Sequence, residues 1–392
     1  MSDFGFTSVL YDARTVQPGM SGVGRYTLSL LTALAALPGA PPLRALFLKE
    51  TLDTARHDPA LKNVELIESP VSHEDHPAGD VWLRTQMKKM VRPGEVYHGP
   101  AFIIPGGRQP FARVVTVHDL FVFTHPRFFS LKFRTWMRWK ICRACRFAER
   151  IIVPTETVKQ QLIERSCAPA EKIHAIFEAP DTTDPVWDAA SRPGGEALQK
   201  VFKETTTDGR PRLLTVGTMD PRKDIATARA ACVRLAERMP VDWIWVGGPG
   251  PIPDDSSEAL KTEAARRGFR AVGHIPGREI PRALEAADLY VTCSRTEGFG
   301  IPLVEAQAAG RPIVASDLPV HREVAGDAAL YFPEGDAAAL AELLARLLAD
   351  PAGRRELGQR GRARAHLFSW HNAATQTLQA YREAQRCFER NQ

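Results

Sequence analysis

The stretch from Ser294 to Ser316, SRTEGFGIPLVEAQAAGRPIVAS, decides how the rest of the chain reads. It begins where a short apolar strand, Leu289 to Thr292, ends, and it passes through a glycine-rich turn into a helix that another apolar strand follows. Gly298 and Gly300 permit close backbone approach to a ligand, Pro302 suits a first helical turn and Gly310 suits the far end. Strand, turn, helix and strand in this order make one unit of a parallel sheet.

The same stretch carries two carboxylates eight positions apart, Glu297 in the loop and Glu305 in the first turn of the helix or just past it. The free amides of the helix start, with about half a positive charge from the macrodipole, form an anion site suited to a diphosphate. Glu305 is placed to take two hydrogen bonds from a vicinal diol such as a ribose, and Glu297 to do the same for a sugar beyond the phosphates. The plain alternative is that Glu305 only complements the helix start and Glu297 is solvated. A second segment favours the ligand. Val216 to Asp224, VGTMDPRKD, follows another strand and puts Arg222 and Lys223 just beyond the turn at Gly217. Two like charges a few Å apart repel by roughly 1 to 4 kcal/mol, so cations are needed where carboxylates and phosphates meet.

Strands alternate with helices throughout. The second half shows them at Arg212 to Val216, Trp243 to Val246, Ala271 to Val272, Leu289 to Thr292, Pro312 to Ala315 and Ala329 to Phe332. In the first half they fall at Ser8 to Tyr11, Arg44 to Phe47, Val96 to His98, Val114 to Val117 and Ile151 to Val153. Helices are expected near Tyr26 to Leu37, after a glycine-rich loop, and Glu156 to Arg165. Glu178 to Gly209 is rich in Asp, Thr, Pro and Gly and reads as a linker with a local helix. The expected fold is α/β with two Rossmann-like domains: residues 1–178, a linker at 179–210, and 211–368. A last helix, 369–392, is expected to pack back on the first domain. Open sheets of this kind bind ligands at the carboxyl ends of their strands.

Composition agrees with this plan. The 392 residues, 44% hydrophobic and 25% charged, suit two globular domains. The opening MSDFGFTSVLYDARTVQPG lacks the basic start and apolar run of a secretory signal, and nothing approaches 18 unbroken apolar residues, so a cytoplasmic location is expected. Six scattered cysteines fit a reducing compartment, and the lone pair Cys142 and Cys145 has no second pair to complete a zinc site.

The net charge of +5 is unevenly spread, with 23 Lys and Arg against 16 Asp and Glu in residues 1–176, or +7. Arg127 to Arg146, RFFSLKFRTWMRWKICRACR, contributes seven of those cations, no acidic residue and five aromatics. Such a helix suits an anionic membrane surface or a lipid-diphosphate acceptor; the alternative is a core face with solvated cations. A nucleic-acid module is not recognisable.

EGFGIPLVE resembles the signature of glycosyltransferase family 4, two glutamates separated by seven residues, and VGTMDPRKD resembles its phosphate-binding loop. SGVGRYT at Ser21 to Thr27, VVTVHDL at Val114 to Leu120, AERIIVPTETVKQQL at Ala148 to Leu162, VGHIP at Val272 to Pro276 and FSW at Phe368 to Trp370 are similar to family segments in the expected order. The resemblance implies a GT-B fold with a cleft between two domains. It also implies that Glu305 holds the donor ribose, Glu297 the transferred sugar, and Arg222 with Lys223 the diphosphate beside Gly217. The amides of Phe299, Gly300, Ile301 and Leu303 would assist. Gly22 and Gly24 would form a first-domain loop at the donor, and His118 would contact the transferred sugar near the reacting carbon. Thr218 departs from the family, where a basic residue often follows the glycine, and so does EAPD at Glu178 to Asp181, where a glycine often precedes the acidic residue.

The sequence has no Asp-x-Asp triplet, so no metal and no other cofactor is expected. The resemblance implies retention of anomeric configuration by same-face substitution, with the leaving diphosphate taking the acceptor's proton. The wording HDLFVFTHP and VGRYT resembles bacterial mannosyltransferases of surface polysaccharides, which favours GDP-mannose as donor and a glycan or polyprenyl-diphosphate-linked saccharide as acceptor. Two other readings are a non-catalytic nucleotide or glycan-binding protein and a glycoside phosphorylase. A dehydrogenase would need a third glycine in the first-domain fingerprint.

Overall fold

The computed structural model describes residues 4–18, 20, 22–71, 77–165, 167–180, 209–250, 252 and 254–391. Most of the expected linker lies outside them, as do Ser21 of SGVGRYT and Asp181 of EAPD. The chain divides into two compact units, Met1–Ala190 with Ser369–Gln392, and Ser191–Phe368.

The first unit carries a seven-stranded parallel sheet: Val9–Asp12 (β1), Leu43–Leu48 (β2), Val64–Ser69 (β3), Val96–Gly99 (β4), Ala112–Thr116 (β5), Arg150–Val153 (β6) and Ile173–Ala175 (β7), in the order β3-β2-β1-β4-β5-β6-β7. β1, β2, β4 and β5 are buried at every position, as expected for strands covered on both faces. The helices are Gly22–Ala36 (α1), Lys49–His57 (α2), Pro77–Met90 (α3), Phe121–Thr124 (α4), Leu131–Phe147 (α5) and Glu156–Glu164 (α6). Ser130 and Thr155 cap α5 and α6 by accepting from the amides of Phe133 and Val158.

Gly22 and Gly24 do not form the expected loop. Both lie in the first turn of α1. Gly24 is needed for packing inside the chain, because a Cβ there would sit 2.6 Å from both Thr15 O and Met20 Cβ. The strands β3 and β7 were not expected either: β3, VELIES, is half exposed, and β7 is three residues long.

The second unit has six parallel strands: Arg212–Val216 (β8), Asp242–Val246 (β9), Phe269–Gly273 (β10), Leu289–Thr292 (β11), Ile313–Ser316 (β12) and Ala329–Phe332 (β13), in the order β10-β9-β8-β11-β12-β13. Its helices are Ile225–Ala236 (α7), Glu258–Arg266 (α8), Ile280–Ala286 (α9), Ile301–Ala308 (α10), Pro319–Ala325 (α11), Ala337–Leu348 (α12) and Pro351–Ala365 (α13). Trp243 and Trp245 fill the core from β9 with their ring N–H groups satisfied, Trp243 donating to Thr215 Oγ1 at 3.1 Å and Trp245 to Gly217 O at 2.8 Å.

The last helix, Trp370–Arg390 (α14), belongs to the first unit and packs on α1, β4, β5 and β6. Trp370, Ala373, Ala374, Thr377, Ala380, Tyr381 and Ala384 form its buried stripe at helical spacing. Tyr381 OH reaches His98 Nδ1 at 2.7 Å. Among the described residues no helix is long and apolar enough to cross a membrane.

Candidate functional site

Both sheets reverse their direction of growth once, between β1 and β4 in the first unit and between β8 and β11 in the second. Ligands of open α/β sheets bind beyond the carboxyl ends of the strands at such a reversal. In the second unit those two ends carry VGTMDPRKD and SRTEGFG, so the topology brings together segments more than 70 residues apart.

Asp220 shapes the first of these loops. Fully buried, it accepts from the amides of Arg222 at 2.9 Å and Lys223 at 3.4 Å, and from Thr218 Oγ1 at 3.1 Å. It also pairs with the Arg222 guanidinium at 2.7 Å. The Arg222 guanidinium is therefore already engaged with a carboxylate. Thr218, in place of a basic residue, is part of the same turn. Gly247 must be a glycine, because a Cβ there would stand 1.9 Å from Gly217 O. Asp224, at φ 52°, adopts the left-handed region that side chains rarely enter, a strain of about 1 to 3 kcal/mol. It caps α7 through Thr227 and pairs with Arg295 at 3.0 Å. Arg295 N donates to Arg222 O at 2.8 Å, which joins the two loops by main chain as well.

Glu297 lies in the second loop with its side chain 10% exposed. Oε1 accepts from Lys223 Nζ at 2.5 Å and from Ser294 Oγ at 2.6 Å. Burial alone would raise its pKa, but Lys223, His321 and the hydrogen bonds outweigh burial and hold the carboxyl below the ordinary value. His321, buried in the first turn of α11, has a defined tautomer: Nδ1 faces Ser316 O at 2.8 Å and therefore carries the hydrogen. Burial lowers its pKa against the pull of Glu297.

Gly300, at φ 94°, turns the chain into α10, with Ile301 and Pro302 opening the helix and Leu303 N donating to Gly300 O at 2.9 Å. Phe299 is buried edge-on against Phe368 at 5.7 Å. Glu305 is the fifth residue of α10. Burial raises the pKa of the Tyr290 hydroxyl, and Glu297 and Glu305 add to the rise.

In the first unit His118 follows β5 and is 7% exposed. Nε2 faces Pro100 O at 2.7 Å and Nδ1 faces Glu178 Oε1 at 3.2 Å. Tyr26 from α1 meets the ring edge-on at 4.6 Å. Sequence reasoning named neither Asp220, Asp224, Ser294 and His321 nor Glu178 in this role, because each acts through a partner distant in the chain or through a turn closed by the backbone.

Two family descriptions match the chain: "Glycosyltransferase Family 4" over residues 20–183 and "Glycosyl transferases group 1" over residues 198–364. Between them they span most of its length, and the two carboxylates, the cation loop and the helix start described above lie in the second. The chain belongs to the family 4 glycosyltransferases. It is 27% identical over 391 residues to O-antigen chain mannosyltransferase B of Escherichia coli, an alignment covering 95% of this chain and 99% of that protein. Among solved structures it is similar to a sucrose-phosphate synthase of Thermosynechococcus elongatus, with a TM-score of 0.70, 22% identity, and 96% and 98% of the two chains covered. Anabaena HepE, solved in complex with UDP-glucose, gives a TM-score of 0.68 at 19% identity over 94% and 97% of the chains. These likenesses establish the glycosyltransferase's GT-B fold.

Proposed function

We propose that this glycosyltransferase moves mannose from GDP-mannose to a glycan or lipid-linked saccharide in surface-polysaccharide assembly, with retention and without a metal. The observation that carries the reading is the Lys223–Glu297 pair beside the start of α10, in a chain that aligns nearly end to end with an O-antigen mannosyltransferase. HepE was solved with a nucleotide-sugar, which supports a donor of that class here.

On this reading the diphosphate lies against the amides of Phe299 to Leu303, with Lys223 and Arg222 at its oxygens. Glu305 holds the ribose and Glu297 the transferred sugar. Stabilising the departing nucleoside diphosphate is then the main catalytic effect. As the bond from the anomeric carbon to the phosphate oxygen breaks, the acceptor oxygen bonds to the same face, and its proton passes to the leaving phosphate.

The acceptor side is proposed to meet an anionic membrane at its cytoplasmic face through α5. There Leu131 is 67%, Phe133 40% and Trp139 53% exposed, and Arg143 lies over Trp139 at 5.1 Å. Aromatic and cationic groups on one exposed surface favour such an interface.

A panel of nucleotide-sugars in EDTA, with and without a polyprenyl-linked acceptor, tests the donor and metal assignments by nucleoside-diphosphate release. Release from GDP-mannose that Glu297→Ala abolishes supports them. Release from a different donor, or only after magnesium is restored, overturns the corresponding part. Co-sedimentation with anionic and neutral liposomes tests the membrane contact, and equal binding to both counts against it.

A further inference from the structure

Glu297 is held by two donors, and both reach the same oxygen. Lys223 Nζ at 2.5 Å and Ser294 Oγ at 2.6 Å meet Oε1, while Oε2 has no protein partner among the described residues. On the proposed reading the two donors part when a nucleotide-sugar binds. The Lys223 ammonium goes to the diphosphate, and the Ser294 hydroxyl stays on the carboxylate. Whatever fixes Ser294 then decides where Glu297 stands.

Ser294 lies two residues beyond β11 and is 1% exposed. Its hydroxyl has a single hydrogen. The Glu297 carboxyl, held below its ordinary pKa, is ionised at neutral pH and only accepts, so that hydrogen lies on the line to Oε1. Thr292 Oγ1, 3.3 Å away, then donates to Ser294 Oγ, and the chain of hydroxyls runs in one direction, from Thr292 through Ser294 to Glu297. The main chain of Ser294 is tied down as well. Ser316 Oγ, at the end of the neighbouring strand β12, donates to Ser294 O at 2.5 Å. Ser316 is in turn seated by His321, whose Nδ1 donates to its carbonyl at 2.8 Å. Thr292, Ser316 and His321 are all buried. A hydrogen bond to an ionised group is about twice as strong as a neutral one, and a buried hydroxyl with fixed neighbours has little freedom left to lose when a ligand arrives.

We infer that Ser294 is a positioning residue of the donor site: its hydroxyl keeps Glu297 Oε1 in place once Lys223 has left, and so presents Oε2 to the hydroxyls of the transferred sugar. Ser294 acts through Glu297 alone. This inference rests on the reading in which Glu297 holds that sugar and Lys223 the diphosphate.

Isothermal titration of full-length Ser294→Ala with GDP-mannose and with GDP separates positioning from general damage, because GDP lacks the sugar that Glu297 holds. GDP-mannose affinity is expected to fall about tenfold, the size of one charge-assisted hydrogen bond, and GDP affinity to change by less than about twofold. Ser294→Thr, which keeps the hydroxyl, is expected to restore GDP-mannose binding. The carboxyl signal of Glu297 in ¹³C-glutamate-labelled protein, identified by its loss in Glu297→Gln, reads the contact without any donor. Its titration midpoint is expected to move up in Ser294→Ala, where a hydrogen bond that lowers it is lost, and back in Ser294→Thr. Equal losses of GDP and GDP-mannose affinity, or an unmoved midpoint in Ser294→Ala, overturn the proposal. A wild-type crystal structure with GDP-mannose bound decides independently of whether the variants fold: Ser294 Oγ is expected to remain on Oε1 with Oε2 at the sugar, and a Glu297 side chain turned away from Ser294 overturns the proposal. If the wild type does not bind GDP-mannose, the carboxyl titration still tests the contact between Ser294 and Glu297, and the failure falls on the proposed function.

Discussion

Lys223 Nζ and Glu297 Oε1, 74 residues apart in sequence, meet at 2.5 Å where the loops after β8 and β11 converge. The pair neutralises two charges that are both largely withdrawn from water, 23% and 10% exposed. On the proposed reading a donor exchanges partners to bind, with phosphate replacing Glu297 at the ammonium and sugar hydroxyls replacing Lys223 at the carboxylate.

Lys223→Met is expected to lower stability by about 3 kcal/mol, the lower end for removing one partner of a buried pair, because a carboxylate is left buried alone. Lys223→Met with Glu297→Gln is expected to recover most of that loss. Urea unfolding of the two single variants and the double variant checks this, and additive losses would show that the pair does not couple.

The depressed pKa of Glu297 sets a pH window. A carboxylate held below its unfolded value of 4.5 contributes stability that is present above pH 4.5 and is lost as pH falls through the native value. The stability difference between wild type and Glu297→Gln is therefore expected to shrink steadily below pH 4.5 and to be flat above it, as followed by chemical denaturation.

His98 gives a second window, at higher pH. Burial lowers its pKa from 6.5 to about 3, with His118 adding to the effect and Asp12 opposing it. The unfolded chain takes up a proton below pH 6.5 that the native state refuses, so stability falls with pH from 6.5 downward, by up to ~1.4 kcal/mol per unit for one such group. His98→Gln is expected to flatten the slope between pH 6.5 and 5, above the range where most carboxylates titrate.

Gly247→Ala drives a methyl group into the Gly217 carbonyl, 1.9 Å from the ideal Cβ position, and is expected to displace the cation loop. Donor affinity should fall about tenfold or more, equivalent to ~1.4 kcal/mol. Gly248→Ala, where nothing lies within 4 Å, is the control. Isothermal titration with the donor compares the two.

Much of this was legible because it is local. The turn at Gly300, Pro302 in the first turn and the strands flanking SRTEGFGIPLVEAQAAGRPIVAS are all written within one stretch of chain. The partners of the functional groups were not legible. Arg222 reads as a free cation, and only the fold reveals that Asp220 engages it. Glu178 reads only as part of EAPD, a segment lacking a glycine, until β7 carries it beside His118, 60 residues away. The close packing at Gly24 was not legible for a different reason: a glycine near a helix start looks the same whether or not the protein's own chain approaches it.

The position of α14 has a consequence for how the protein is made. The helix completes the first unit, yet the ribosome synthesises it after the whole second unit. Until Tyr381 and Trp370 leave the exit tunnel, His98 lacks its tyrosine partner and the segment holding Glu178 lacks its anchor at Pro180. The second unit can settle while the chain is still growing. The first must wait with an uncovered face, and the seat of His118 is among the last parts of the enzyme to form.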